Sequence, residues 1–308
     1  MSKKYIIDTD IGDDIDDAYA IEYAIKAGLD VVGVTTVFRS TYLRAELSAY
    51  LLKLMNRMDI PVFAGSEFPI CQPLDAKQKA ARYLRGEALE SALKGEPWLP
   101  QYLDGAKGLA VNKKSAVDFI LESAEKYGED LVILAIGPLT NLARAIEKAP
   151  KTMKKIGKIV LMGGNTKENV AEWNVALDPE GAATVFSSGL KIDQIGSDQT
   201  WKNATVTFDE LVDMRRQTGE LGEANNNMLD KWANQPLYRG RIPCMHDSLA
   251  VFMVLNEQAF TFDEVTIVVG LEGDDRAKTF VKAGGNVRRV IDVDEKKFRE
   301  SMWECIYR

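Results

Sequence analysis

Cysteine is scarce in this chain: three residues in 308, at positions 71, 244 and 305, far apart in sequence. An odd, sparse set argues against a disulfide framework and leads us to expect a reducing, cytoplasmic setting. Histidine is scarcer still, with His246 alone. Lys and Arg form no cluster, and the net charge is −7, so nucleic acid is not the expected partner. No apolar run approaches the ~20 residues of a membrane span, and Met-Ser-Lys-Lys leads straight into a strand pattern. Neither a signal peptide nor a membrane contact is therefore expected. The sequence also lacks internal repeats, low-complexity segments and any linker between domains.

What remains is a chain that is 46% hydrophobic, ample for one large core. Apolar, β-rich runs predict strands at 5–7, 31–37, 60–63, 131–136, 159–162 and 192–195. Helical spacing predicts helices at 17–27, 43–58, 114–127, 138–149 and 179–188. Residues 207–257 read as helical, 264–292 as further strands, and a last helix starts at about 294. Strands alternating with helices imply βαβ units and a mainly parallel sheet. The expectation is one α/β, Rossmann-like domain over 1–308, flanked by helices, with an added helical section at about 205–240. The irregular stretch 66–112 is long for a connection, as lids and functional loops often are.

The densest chemistry lies at the start. Ile6-Ile7 runs into Asp8-Thr9-Asp10-Ile11-Gly12-Asp13-Asp14-Ile15-Asp16-Asp17-Ala18, with six carboxylates in ten residues. Such charges repel, and burying them unpaired is costly. A solvated loop is the plain reading. However, the apolar run before it and the helix after it put the carboxylates at the carboxyl end of a first strand, where open α/β sheets hold ligands. A hard cation bound by oxygens, Ca²⁺ or Mg²⁺, would offset the repulsion.

This opening, D-T-D-x-G followed by D-D-A, resembles that of the inosine-uridine-preferring nucleoside hydrolases, calcium-dependent N-ribohydrolases. The family has one residue between Gly and the Asp pair, whereas here Asp13-Asp14-Ile15 intervene. Strict spacing would choose Asp14; the context Asp-Asp-Ala-x-Ala-Ile chooses Asp16 and Asp17, and we follow the context. Leu134-Ala135-Ile136-Gly137-Pro138-Leu139-Thr140-Asn141 resembles the second family block, and otherwise reads as a plain βα turn. Met162-Gly163-Gly164-Asn165, Glu172-Trp173-Asn174 and Asp178-Pro179 resemble the third. Glu172 and Asn174 alternate, so on extended backbone they would face one side. Met245-His246-Asp247-Ser248-Leu249-Ala250 resembles the H-D-P-L-A block.

The resemblance implies a reaction, a metal and a set of roles. The reaction is hydrolysis of the N-glycosidic bond of ribonucleosides to ribose and free base, by water activated by an aspartate at a Ca²⁺ site. Asp10, Asp17, Asp247 and the Ile136 carbonyl would hold the metal, with Asp10 also the base. Asp16, Glu172 and Asn174 would hold the sugar. A further sugar-contacting Asn falls at Thr166 by spacing, between Asn165 and Asn169, and Asn165 is the candidate carried forward. Asp8 would support the loop. His246 would assist the leaving base, its side chain titrating nearest neutral pH. Trp232 and Tyr238 are candidate base contacts, with helix packing as the alternative. The partner is a small nucleoside, and a homodimer or homotetramer is implied.

Two departures touch substrate positions. Where many members have V-T-T-V-x-G-N, this chain reads Val34-Thr35-Thr36-Val37-Phe38-Arg39-Ser40, so Ser40 stands for the sugar-binding Asn. Where they have H-G-x-x-G-L, it reads Asp104-Gly105-Ala106-Lys107-Gly108-Leu109. These changes motivate an alternative: a ribose- or nucleoside-binding protein with altered catalysis, or a hydrolase of a modified nucleoside. A nucleotide-sugar transferase using Asp8-Thr9-Asp10 is a further rival. A haloacid-dehalogenase-like phosphatase fails at Gly12, and an EF-hand fails because Asp13 occupies its glycine position.

Overall fold

A computed structural model describes residues 2–70, 90, 94 and 97–307. Nine strands form one sheet in the order β3-β2-β1-β4-β5-β6-β9-β7-β8. β1 (Lys4–Thr9), β2 (Val31–Thr36), β3 (Val62–Ala64), β4 (Leu131–Ala135), β5 (Lys158–Met162) and β6 (Ile192–Ile195) all run parallel. β7 (Phe260–Val269) pairs antiparallel with both β8 (Thr279–Ala283) and β9 (Val287–Val293), and β9 closes onto β6 in parallel. The central strands are apolar almost throughout because helices cover both faces.

Two apolar clusters flank the sheet. One includes Ile7, Val34, Leu134 and Val160; the other includes Ile6, Ile133, Leu142 and Leu161. The strand order reverses between β1 and β4, β1 leading outward to β2 and β4 outward to β5. This is a topological switch point, where the loops beyond the strand ends splay apart and leave a crevice. The acidic run follows β1, and Ile136-Gly137 follows β4.

Most elements match the expected order, and the added helical section holds helices Phe208–Arg215 and Gly219–Asn234. Besides the single turn Pro150–Met153, two short helices were not legible: Trp173–Leu177 and Ser197–Ala204. Neither has a long amphipathic repeat. The first corrects the extended reading of Glu172 and Asn174, for Glu172 caps this helix and Asn174 lies within it. The helix expected from Pro138 starts at Thr140. Within 66–112, residues 71–89, 91–93 and 95–96, including Cys71, lie outside the described residues. The rest of that stretch carries one 3₁₀ turn, Asp104–Ala106. Cys244 and Cys305 are both free thiols. Among the described residues, no helix is long and apolar enough to cross a membrane.

Candidate active site

The acidic loop is held by its apolar residues. Ile11 and Ile15 are fully buried, so the carboxylates between and beside them turn to the other side. Gly12 has φ +108°, and a Cβ there would run into Leu99. Asp16 and Asp17 form the first turn of α1 (Asp16–Lys26), and Asp247 sits in the first turn of helix His246–Leu255. Both helix N-termini favour negative charge at that place. The two helices pack side by side, which brings the three carboxylates together.

Asp16, Asp17 and Asp247 each offer an oxygen within 4.8 Å of the others, and all are buried. Burial first, then mutual repulsion, raises all three well above the usual carboxylate range. The two arginines that reach the loop are engaged elsewhere: Arg44 and Arg39 pair with Asp13 at 2.7 and 3.0 Å. Against burial, these guanidiniums hold Asp13 below its ordinary value. Three oxygen-donor groups crowded together without an ion-pair partner among the described residues form a donor set for a hard divalent cation.

Asp10 lines the same cavity. Burial pushes its carboxyl up to about 7; Arg44 opposes the rise and Asp13 adds to it. Arg44 binds the Asp10 and Ile11 carbonyls. Asp8 sits one layer down. Its Oδ1 accepts Thr35 Oγ1 at 2.6 Å and Asn141 Nδ2 at 2.8 Å, its Oδ2 is unpartnered, and burial pushes it up to about 7. Asn141 also donates to the Thr36 carbonyl, tying the second sequence block to β1 and β2. Thr9 Oγ1 donates to Asp17 and accepts the Ile11 amide.

The far wall comes from the loops after β4, β5 and β6. Glu172 accepts the amides of Gly164, Asn174 and Val175 at 2.8–3.1 Å. Burial raises its carboxyl despite those bonds. Asn174 Nδ2 bridges the carbonyls of Ile136 and Met162, at 3.2 and 3.1 Å. Asn165 lines the cavity, but its amide is spent within the fold. Nδ2 donates to Glu168 and Ser197, and Oδ1 accepts the amides of Lys167 and Glu168. The neighbouring Thr166 hydroxyl accepts from Arg289.

His246 Nδ1 lies 2.5 Å from Thr200 Oγ1, with the Trp201 ring edge-on at 4.6 Å. Burial lowers its pKa to about 4, so the resting imidazole is neutral at pH 7. This departs from the near-neutral titration expected of an unburied His. Trp232 and Tyr238 stack at 5.0 Å between ring centres, and both line the cavity. They are thus packed on each other and at the site at once.

Ser40 and Asp104 are placed elsewhere. Ser40 Oγ donates to the Trp98 carbonyl at 2.9 Å and accepts the Trp98 amide at 3.0 Å, clasping that segment rather than lining the cavity. Arg39 takes the left-handed φ of +52° at the position of the family glycine, and stacks on Trp98. Asp104 is exposed on the 3₁₀ turn. Sequence reasoning weighed Asp14 by motif spacing and set it aside, and did not find Ser197 or Trp201; all three line the cavity. The extra acids gave a signal for Asp14; the other two lie on or beside an unread helix. The whole cavity encloses about 340 Å³.

The description "Inosine-uridine preferring nucleoside hydrolase" names a family whose profile matches residues 5–300. The chain is 31% identical over 303 residues to a probable uridine nucleosidase of Arabidopsis thaliana, covering 95% of this chain and 89% of the relative. It is 30% identical to a non-specific ribonucleoside hydrolase of Salmonella paratyphi C, over 94% of this chain and 93% of that one. A solved purine-preferring ribonucleoside hydrolase from Gardnerella vaginalis superposes with a TM-score of 0.81 at 26% identity, covering 99% of this chain and 98% of the other. With the profile matching nearly end to end, and the acidic loop, the β4 turn and the His246-Asp247 helix converging on one cavity, the chain belongs to the inosine-uridine preferring nucleoside hydrolase family.

Proposed function

We propose that this nucleoside N-ribohydrolase works with a Ca²⁺ ion, and that Asp10 is its base. The observation carrying the reading is the buried carboxylate cluster, Asp16, Asp17 and Asp247, at the strand-order switch. Asp17, Asp247, Asp10 and the Ile136 carbonyl would hold the ion; Asp16 is near enough to share it or to take a sugar hydroxyl. When bound, Ca²⁺ supplies a compact positive charge that takes 6–8 oxygens and organises hydroxyl groups.

The remaining chemistry belongs to side chains. Water adds to the anomeric carbon while the glycosidic bond breaks through an oxocarbenium-like state, and the base leaves with the bonding electron pair. Asp10 takes the proton from that water. The surrounding carboxylates favour positive charge developing on the sugar. Glu172 and Asn174 border the sugar region; their hydrogen bonds to backbone fix the loops that shape it. His246, neutral at rest, serves the leaving base as a ring N–H donor, with Thr200 fixing its orientation. Trp232 and Tyr238 give the base an aromatic wall. The sparse cysteines, of which Cys244 and Cys305 are free thiols, support a cytoplasmic setting. Self-association into dimers or tetramers follows from the family resemblance and is read by light scattering.

The test is reducing-sugar release from a panel of ribonucleosides, after EDTA and after returning Ca²⁺. Metal-dependent release supports the reading, and the ranking names the base preference. No release from any member, with Ca²⁺ still bound, moves the assignment to a nucleoside-binding protein or a modified substrate.

A further inference from the structure

The two extra acids of the opening loop, Asp13 and Asp14, end up in opposite environments. Asp13 is consumed by the fold. Its carboxylate pairs with Arg44, a fully buried guanidinium, and with Arg39, and its carbonyl accepts the side-chain amides of Gln101 and Gln235, both at 3.0 Å. Those groups come from α2 (Thr41–Leu54), the loop before it, the segment after residue 97, and the chain after helix Gly219–Asn234. Such anchoring from four directions fixes the backbone of the next residue.

Asp14 is left facing the cavity. Its Oδ1 accepts the neighbouring Ile15 amide at 2.7 Å, the Trp232 and Tyr238 side chains also act on the carboxylate as donors, and no Lys or Arg pairs with it among the described residues. It stands beside the stacked rings of Trp232 and Tyr238. On that same wall Trp232 is 3% exposed, and its indole N–H acts as a donor toward the Asp14 carboxylate. A carboxylate with no cation beside it, held on the cavity wall by neutral donors, keeps acceptor capacity for a polar group of a ligand. The aromatic stack suits the flat base rather than the sugar.

We propose that Asp14 is a specificity-determining residue that accepts a hydrogen bond from an N–H of the leaving base. This rests on the ribohydrolase reading above. An aglycone that offers a donor pairs with the carboxylate; one whose N–H is replaced by methyl crowds it and leaves its remaining acceptor capacity unfilled. A site built to hydrogen-bond a substrate group rejects the analogue that lacks it far more strongly than a hydrophobic pocket does.

The test compares the metal-loaded wild-type chain with Asp14→Ala and the near-isosteric Asp14→Asn, each checked for an unchanged melting temperature. Substrates are uridine against 3-methyluridine, inosine against 1-methylinosine, uridine against 5′-deoxyuridine, and p-nitrophenyl riboside, whose aglycone has no N–H. In the wild type, kcat/KM for the better nucleoside should exceed that of its methylated partner by at least tenfold. Asp14→Ala should collapse that ratio to within about threefold, whereas Asp14→Asn, which keeps one acceptor oxygen, should retain part of it, while p-nitrophenyl riboside loses less than the nucleoside. A methylation ratio that is absent in the wild type, or that survives undiminished in Asp14→Ala, overturns the proposal. So does a collapse confined to the 5′-deoxy pair, which would make Asp14 a sugar contact. Hydrolysis of p-nitrophenyl riboside keeps that failure apart from failure of the ribohydrolase reading; if wild type cleaves nothing, both readings fall.

Discussion

Gly137 lies against Asp10 so closely that a Cβ there would stand 2.8 Å from the Asp10 amide nitrogen and 2.9 Å from its Oδ1. In sequence, Gly137-Pro138 reads as an ordinary turn between strand and helix. In the structure the missing side chain lets the end of β4 meet the end of β1, next to the proposed base. Gly137→Ala should therefore move Asp10 and lower kcat by about 10²-fold, since misplacing a reacting group by about 1 Å costs that much. Steady-state kinetics on the best nucleoside check it; an unchanged kcat would show that Asp10 need not sit where Gly137 allows.

Asp10→Ala removes the proposed base and one buried carboxylate from a crowded site. Turnover should fall by about 10²–10⁴-fold, the usual worth of a positioned base. The fold should survive, because Ile11, Ile15 and the Arg44–Asp13 pair hold the loop without the Asp10 side chain. Circular dichroism with sugar-release kinetics separates the two effects. Undiminished turnover would move the base elsewhere.

Metal dependence and pH should be linked with a definite sign. Burial raises Asp8 and Asp10 to about 7 in the metal-free chain, against roughly 3.9 for an unfolded Asp. Between those values the folded state holds protons that the unfolded chain has released. Stability from these groups is thus present below about pH 4 and lost as pH rises through about 7. A bound divalent cation offsets the charges left behind. The gain in melting temperature from adding Ca²⁺ to EDTA-treated protein should therefore be larger at pH 8 than at pH 5. Equal gains at both would disconnect the carboxylate cluster from the cation.

Glu172 caps helix Trp173–Leu177 and holds the Gly164 amide as well. Glu172→Ala frees three buried amides at once and should cost about 2 kcal/mol of stability, in the upper range for losing a helix cap. It should also raise KM, because the loop after β5 borders the sugar region. Denaturant melts and KM values measured together test this; a higher KM with unaltered stability would make Glu172 a sugar contact alone.

His246→Ala should slow nucleosides more than p-nitrophenyl riboside, whose aglycone leaves readily unaided. Because burial keeps this imidazole near 4, the wild-type pH profile should show no limb near 6.5 that the variant abolishes. Parallel losses on both substrates would remove His246 from the leaving-group side.

The alternation of apolar strands and helical patterns was enough to specify a mainly parallel α/β sheet, because strand and helix periods are local properties of the chain. The acids at 8–17 announced a cation site for the same kind of reason: like charges crowded after a strand demand compensation; Asp247 was joined to it only by the family resemblance. Other features depended on which distant side chains meet. Ser40 takes its partner from Trp98, 58 residues away, and so leaves the cavity wall. Asn165 spends its amide on Ser197 and its own loop. Glu172, still on the cavity wall, is also a helix cap because a short helix, too brief to show periodicity, starts there. Asp13 and Asp14 are identical neighbours in sequence, and only the tertiary structure tells them apart: Arg44 and Arg39 neutralise one, while the other faces the Trp232–Tyr238 wall without a counter-ion among the described residues. Residue type fixes what a side chain can do, whereas burial and long-range partners decide which of those capacities are already used.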